Sequence, residues 1–455
     1  MTLTQERHWH KNDIDTRTTL TYNTNMKILH TSDLHLGHTL YSYDRTVEQT
    51  GCLAQIENII KEQKPDAYVI SGDIYHTTSP QTSAQEMFMH HLMTVHEIAP
   101  SMKVIVTAGN HDSNKIEITD PLWNLVGVSI VASIKRNILQ GEDSDEFHRQ
   151  LFERHIFPIV RDGSTVGYIV AIPHCYPGNF PAVKAGLPRE ERMKEFIALL
   201  LGEVEKRNKN GLPVVVMAHT AVNRISGEKP DAVGQDLDII GGIDMVNADV
   251  FGTGYDYIAL GHIHNPQNIS DRIRYSGSPL PVSFDEDFHH SVSIVTIGAH
   301  GDTPEVETID IDNAMPVITI PEQDGTRRSE VKSLKWDEAY EAFKKMDPEK
   351  ACYVRLNVTD DGTIPVEAKD KAAKVPEQCH LKAKFCLINR VKKVNDQDIN
   401  SSGKINISTA ELGKMGPYSV AELYLKETGQ EGIDENILAL LKETIDEVMN
   451  PEKHD

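Results

Sequence analysis

Hydrophobic and polar positions change period along this chain in a repeating way. From Met26 onward, short apolar runs of strand length alternate with longer stretches whose apolar residues recur every three to four positions. Residues 26–31 predict a buried strand, closed by Ser32-Asp33-Leu34-His35. Residues 47–63 predict a helix with Leu53, Ile56, Ile59 and Ile60 at helical spacing. Residues 65–70 predict a second strand ending at Ser71-Gly72-Asp73, and 81–96 a second helix carrying Met87, Phe88, Met89, Leu92 and Met93. A third strand over 102–108 runs into Gly109-Asn110-His111-Asp112. Further strands are predicted over 166–172, over 213–218 before His219, and over 255–260 before Gly261-His262-Ile263-His264. Residues 274–276 and 292–297 read as closing antiparallel strands. The alternation predicts an α/β domain over 26–312, a layered sandwich of mixed sheets covered by helices.

The pattern then changes. Residues 313–398 predict a small α+β unit, with strands over 316–320, 351–358 and 381–391 and helices over 336–345 and 366–375. Residues 399–455 read as a linker and a helical hairpin. Ser419-x-x-Glu422 supplies a capping-box start, 429–432 a break, and Ile433, Ile437, Leu440, Leu441, Ile445 and Val448 one apolar face. That face suits either packing on its own domain or a partner protein. Residues 1–25 are polar and Thr-rich without apolar period, and predict a disordered extension in which His8 and His10 are solvated.

Composition narrows the class. A chain of 455 residues exceeds one ordinary core, and 39% hydrophobic with 25% charged residues describes a soluble globular protein. No apolar run approaches membrane-span length, and the start lacks a signal-peptide shape. The five cysteines are scattered without C-x-x-C pairs, which fits a reducing cytoplasm and argues against a thiolate zinc site. A formal charge of −22 argues against a free-standing nucleic-acid clamp. A polyanionic substrate would need a locally neutralised site or a partner's positive surface.

The predicted strands end on donors. Asp33, His35, Asp73, Asn110, His219, His262 and His264 all follow apolar runs, although each taken singly is an ordinary turn or core residue. The set is hard oxygen and borderline nitrogen without thiolate, suited to Mn²⁺, Fe²⁺ or Zn²⁺. Seven donors exceed one tetrahedral ion and suit two ions sharing a carboxylate, a pair able to clamp a phosphoryl group.

Asp-x-His, Gly-Asp, Gly-Asn-His-Asp, an isolated His after a strand, and Gly-His-x-His, in this order, resemble the calcineurin-like metallophosphoesterase superfamily. Within it, residues 28–37, residues 257–264 and Ser276-Gly277-Ser278-Pro279-Leu280-Pro281-Val282-Ser283-Phe284-Asp285-Glu286 resemble nuclease subunits that work with a coiled-coil ATPase. The likeness runs from about residue 26 to the end, with specific motifs in the first domain only. It implies a metallophosphoesterase fold, two divalent ions, most often Mn²⁺, and double-strand exonuclease and single-strand or hairpin endonuclease activity in DNA end processing. It implies that Asp33, His35 and His264 hold one ion and Asn110, His219 and His262 the other, with Asp73 bridging. His111 would contact the scissile phosphate and protonate the leaving oxygen, a role open to a group that titrates near neutrality. His76 matches a further active-site histidine of the family and would lie beside it as a second catalytic residue. Asp112 would either orient His111 or cap the turn, while His38, His174, His289 and His290 read as surface or loop residues. The resemblance further implies a homodimer within a heterotetramer, DNA as substrate, a capping role for the small domain, and a tail docked on the ATPase. The Met-rich helix over 81–96 is the local candidate for the dimer contact, or else it faces the core. A cytoplasmic, nucleoid-associated protein would follow. A calcineurin-like phosphatase or nucleotide phosphodiesterase, and a non-catalytic scaffold, are the alternatives.

Overall fold

The structure is a computed structural model that describes residues 25–134, 153–175, 180–181, 186–188, 191–223, 245–286, 288–323 and 331–392. The expected extension before Asn25 and the helical hairpin near the carboxyl end lie outside these residues.

Two six-stranded sheets carry the larger domain. The first contains β1 (Met26–Thr31), β2 (Ala67–Ser71), β3 (Lys103–Thr107), β4 (Val128–Val131), β13 (Ser291–Ile297) and β14 (Glu305–Asp310). Its order is β14-β13-β1-β2-β3-β4, with β1 to β4 parallel and β13 and β14 antiparallel additions. The second contains β5 (Ile156–Arg161), β6 (Ser164–Ile172), β7 (Val214–His219), β10 (Tyr257–Gly261), β11 (Gln267–Ser270) and β12 (Ile273–Tyr275), in the order β11-β12-β10-β7-β6-β5. A two-stranded pair, β8 (Val222–Asn223) and β9 (Val246–Asn247), lies outside both.

Alternation along each strand makes the layers. Met26 and Ile28 of β1, Ala67 and Val69 of β2, Val215 and Met217 of β7, and Tyr257 and Ala259 of β10 enter one fully buried cluster shared by the two sheets. The residues between them face outward to helices. Leu29, Tyr68, Ile70, Val104 and Val106 pack with Leu53, Ile56 and Ile60 of α1 (Thr46–Gln63) and Phe88, Leu92 and Val95 of α2 (Thr82–Ile98). On the opposite side Val216, Ala218, Ile258 and Leu260 meet Phe196, Leu200 and Val204 of α4 (Arg192–Arg207). Between α2 and α4 in sequence comes the four-residue α3 (Asp120–Trp123). The mixed α/β layering expected from the sequence is what the structure has.

The small unit folds about its own core. β15 (Val317–Ile320), β16 (Tyr353–Thr359) and β17 (Lys384–Val391) form a parallel sheet covered by α5 (Trp336–Lys344) and α6 (Ala368–Gln378). Trp336, Phe343, Val354, Leu356, Val375 and Phe385 fill it.

Some elements differ from expectation. The strand read over 274–276 as antiparallel pairs in parallel with β10, because β11 passes outward first and the hairpin β11–β12 returns the chain in the original direction. β14 gives no apolar signal, since Glu305, Glu307 and Asp310 leave this edge strand exposed; charge on an edge also discourages pairing with other chains. Helix α4, which no expected element covers, has Met193, Phe196, Ile197, Leu200, Leu201 and Val204 at helical spacing, all buried.

Register places the site. Thr31 is level with Ile70, Ser71 with Thr107, and Gly261 with His219, so the parallel strands of both sheets finish together. Ligand sites in open α/β sheets gather at such carboxyl ends.

Candidate metal centre

Four of the seven donors sit in turns of unusual backbone conformation. Asp33 (φ 54°), His35 (φ 43°), Asp73 (φ 51°) and His262 (φ 101°) all occupy positive φ, which L residues other than Asn and Asp seldom adopt. Each such residue costs on the order of 1–3 kcal/mol, so the surrounding packing must hold it. Glycines give the turns room. Gly72 is itself at φ 87°, and a Cβ on Gly109 would run into the Asp73 carboxylate.

The turns bring all seven predicted donors to one place at the seam between the sheets. His35 Nε2 lies 3.1 Å from His264 Nε2, and the two residues follow strands of different sheets. His219 Nε2 and His262 Nδ1 each lie 3.0 Å from Asn110 Oδ1. Asp73 Oδ2 lies between the two groups, 3.8 Å from His35 Nε2 and 3.5 Å from His219 Nε2. Asp33 shares a cluster of metal-ligating geometry with His35 and His264, and another with Asp73 and His219. Its two carboxylate oxygens accept from the His262 backbone N–H at 3.1 Å each, and Oδ2 also accepts from Ser32 Oγ at 2.5 Å.

This donor set fits two cations. Ring nitrogens of His219 and His262 converge on the Asn110 oxygen within hydrogen-bond distance, and those of His35 and His264 on each other, contacts that protons make without a metal and that a cation could take over. Burial pushes His35 well below the ordinary imidazole range, and His262 likewise with the help of neighbouring His219, so both offer lone pairs rather than charges. Burial pushes Asp73 upward, but His219 and His35 outweigh it and hold the carboxylate well below its usual range. His219 is pushed down by burial and lifted further by Asp73, to about 9. The Asp73–His219 contact thus behaves as an ion pair when no metal shares it.

The supporting contacts are specific. Ser71 O accepts from His219 Nδ1 at 2.8 Å, which aims Nε2 at the centre. Glu286 Oε1 accepts from His264 Nδ1 at 2.8 Å. The His111 backbone N–H donates to Asp73 Oδ1 at 2.9 Å, and its Nδ1 donates to the carbonyl of His76 at 2.9 Å. The His111 ring stands 5.1 Å from that of His35, and the His76 ring stacks on His111 at 5.7 Å. Of the two roles open to Asp112, the hydrogen bonds give the turn-capping one. Its carboxylate accepts from the backbone N–H groups of Ile74, Tyr75 and Gly109 at 3.1, 2.9 and 2.8 Å, and the His111 ring is held by His76 instead. Burial, with Asp73 nearby, pushes Asp112 up to about 7.

Two histidines read as surface residues belong to the centre's surroundings. His38 lies edge-on to His76 at 4.5 Å, and the His219 carbonyl accepts from His174 Nδ1 at 3.1 Å. His289 is exposed as expected, whereas His290 is half-buried and donates to Ser278 O at 2.8 Å. Sequence reasoning assigns Glu286 no role, because it follows no strand and has no local pattern. Its only sequence signal is the family-like run from Ser276.

Residues 26–266, more than half of the chain, match the calcineurin-like phosphoesterase family. The chain is 25% identical over 422 residues to the D subunit of nuclease SbcCD from Escherichia coli K12, covering 90% of this chain and 94% of that one. It is 29% identical over 307 residues to the D subunit of nuclease SbcCD from Rhodobacter capsulatus, covering 66% and 72%. It is also 28% identical over 285 residues to the protein of the same name from Bacillus subtilis, covering 59% and 66%.

Proposed function

The chain belongs to the calcineurin-like phosphoesterase family, and from that premise we propose that it is a dimetal DNA nuclease, the D subunit of an SbcCD-type complex. Asp73 carries the reading: one carboxylate oxygen lies 3.8 Å from His35 and 3.5 Å from His219, between the two groups of donors, where it could serve both ions. Asp33, His35 and His264 would hold one ion, and Asn110, His219 and His262 the other. Two divalent ions, Mn²⁺ in this reading, would supply Lewis acidity to a phosphodiester and make water nucleophilic at neutral pH. With Nδ1–H given to the His76 carbonyl, His111 keeps Nε2 to hold or pass a proton at the leaving oxygen. His76 backs that ring by stacking on it, and Asp112 fixes the turn that presents it.

The proposed activity is double-strand exonuclease and single-strand or hairpin endonuclease, within DNA repair, recombination and replication. An SbcC-type coiled-coil ATPase is the partner, docked on residues 399–455; residues 26–312 form the nuclease domain and 313–398 the cap. The net charge of −22 supports a partner, since DNA must then be gripped largely by the ATPase and a dimer groove. The dimer is supported by exposed apolar side chains on one outer layer. Met89 and Met93 of α2 are 42% and 40% exposed, and Ile118, Leu122 and Leu125 are 75%, 70% and 82% exposed. Among the described residues no helix is long and apolar enough to cross a membrane, and the protein is read as nucleoid-associated.

The test is cleavage of hairpin, single-stranded and duplex DNA by the purified full chain with Mn²⁺, alone and with the ATPase. DNA cleavage that needs Mn²⁺ is the expected result. Hydrolysis of phosphopeptides or cyclic nucleotides with none of DNA, even with the ATPase, would transfer the reading to a phosphatase or nucleotide phosphodiesterase. Deleting residues 418–455 should abolish co-purification with the ATPase and leave hydrolysis intact; retained binding would refute the docking site.

A further inference from the structure

His264 is held from behind by a loop that the small unit grips. Its Nδ1 donates to Glu286 Oε1 at 2.8 Å, and Glu286 Oε2 accepts from the Val282 backbone N–H at 2.9 Å, with His264 and Glu286 both buried. Glu286 therefore fixes the tautomer that leaves Nε2 toward His35, and it ties that choice to the loop over 281–286. Two arginines anchor the loop. Arg45 donates to Pro281 O at 2.6 Å. Arg355, on β16 of the small unit, donates to Asp285 Oδ1 at 2.6 Å and to Phe284 O at 3.3 Å, with its guanidinium 5.4 Å from the centre of the Phe284 ring. Phe284 is buried in a cluster with Leu40, Tyr353 and Cys386, and Tyr353 OH donates to Glu48 Oε1 at 2.5 Å. The covalent step from Asp285 to Glu286 joins the small unit's anchor to the residue that aims a ligand.

We propose that Glu286 is a positioning residue for His264, and that Arg355 makes the grip of that ligand on its cation depend on the small unit's seat on this loop. The proposal rests on the reading of Asp33, His35 and His264 as one ion's ligands. Loosening Arg355 should weaken that ion and leave the other in place, so the small domain tunes one half of the centre.

The probe is Mn²⁺ alone, titrated into metal-free full-length protein by calorimetry and by electron paramagnetic resonance, with circular dichroism to confirm folding. His264→Ala tests the underlying reading: one of two Mn²⁺ should be lost, and retention of both would refute the ligand assignment itself. Glu286→Ala should weaken one Mn²⁺ roughly 10–100-fold, the usual effect of removing a ligand's hydrogen-bond partner. Glu286→Gln, which keeps an acceptor and should fold even where the alanine variant does not, should weaken it less. Arg355→Ala should weaken the same ion without altering the other. If His264→Ala loses one ion while Glu286→Gln and Arg355→Ala bind both as wild type does, the positioning proposal is wrong and the ligand reading stands. If Arg355→Ala weakens both ions equally, the selective coupling is wrong.

Discussion

His35 Nε2 and His264 Nε2 lie 3.1 Å apart, although one residue follows a strand of the first sheet and the other a strand of the second. Two buried imidazole nitrogens so close share either a proton, as an N–H···N hydrogen bond, or a cation, and a cation would tie the two sheets more firmly. Chelation should therefore lower the melting temperature, and Mn²⁺ should restore it. At a free concentration of about 100 Kd the ion adds about 2.7 kcal/mol, an effect of several degrees in a thermal melt. Identical melts with EDTA and with Mn²⁺ would count against a cation site.

His111 gives its ring Nδ1 to the His76 carbonyl rather than to any of the seven donors, yet it stands beside His35. His111→Ala should lower DNA cleavage about 10²–10⁴-fold, the range for loss of a general acid or base. Mn²⁺ stoichiometry should stay unchanged. Wild-type turnover would remove His111 from the chemistry; loss of a metal would make it a ligand.

Gly109 has no space for a side chain, because a Cβ would meet the carboxylate and backbone nitrogen of Asp73. Gly109→Ala should destabilise the fold by about 1–3 kcal/mol, the usual cost of overpacking. It should also weaken both ions together, since Asp73 reaches both groups. Denaturant unfolding and Mn²⁺ titration of the same variant separate the two effects, and a wild-type result in both would show that the turn has slack.

Acid should weaken the fold through two buried histidines outside the donor set. Burial pushes His155 down to about 4 and His30 to about 3, and each makes a hydrogen bond, His155 to Ala171 O and His30 to Tyr257 OH, both at 2.9 Å. A folded-state value below the unfolded one contributes stability above the unfolded pKa, and that stability is lost as pH falls toward the folded value. The window runs from about pH 6.5 down to about 4 for His155 and about 3 for His30, and each group contributes about 2 kcal/mol of loss between pH 7 and pH 5. His155→Phe should flatten this dependence in denaturant melts. An equal slope in the variant would show that His155 is not the titrating group.

Leu125 is 82% exposed on the outer layer that also presents Met89 and Met93. If that layer is the dimer contact, Leu125→Asp should give a monomer by sedimentation while leaving the melting temperature within a degree or two, since surface substitutions change stability little. A dimer that persists would move the contact elsewhere.

Much of this architecture was legible because period and burial agree. Met26, Ile28, Ala67 and Val69 alternate with Leu29, Tyr68 and Ile70, and both sets are buried on opposite faces, so an unbroken apolar run correctly implied a strand covered on both sides. The donors at strand ends were equally visible, and the structure draws Asp33, His35, Asp73, Asn110, His219, His262 and His264 to one seam. Less local facts were hidden. The parallel pairing of β12 depends on where a hairpin lands, and β14 is held by one neighbour while exposing acids. Glu286 acts across 22 residues of chain through a loop with no period. Asp112 could be given either of two jobs until its partners proved to be three backbone N–H groups.

The cluster of Met26, Ile28, Val69, Met217 and Ala259 lies between the two sheets whose strands lead to His35 and His264, the pair that meets across the seam. An Ile28→Ala change would leave a void between the sheets and so reach the donors at their ends without touching any of them.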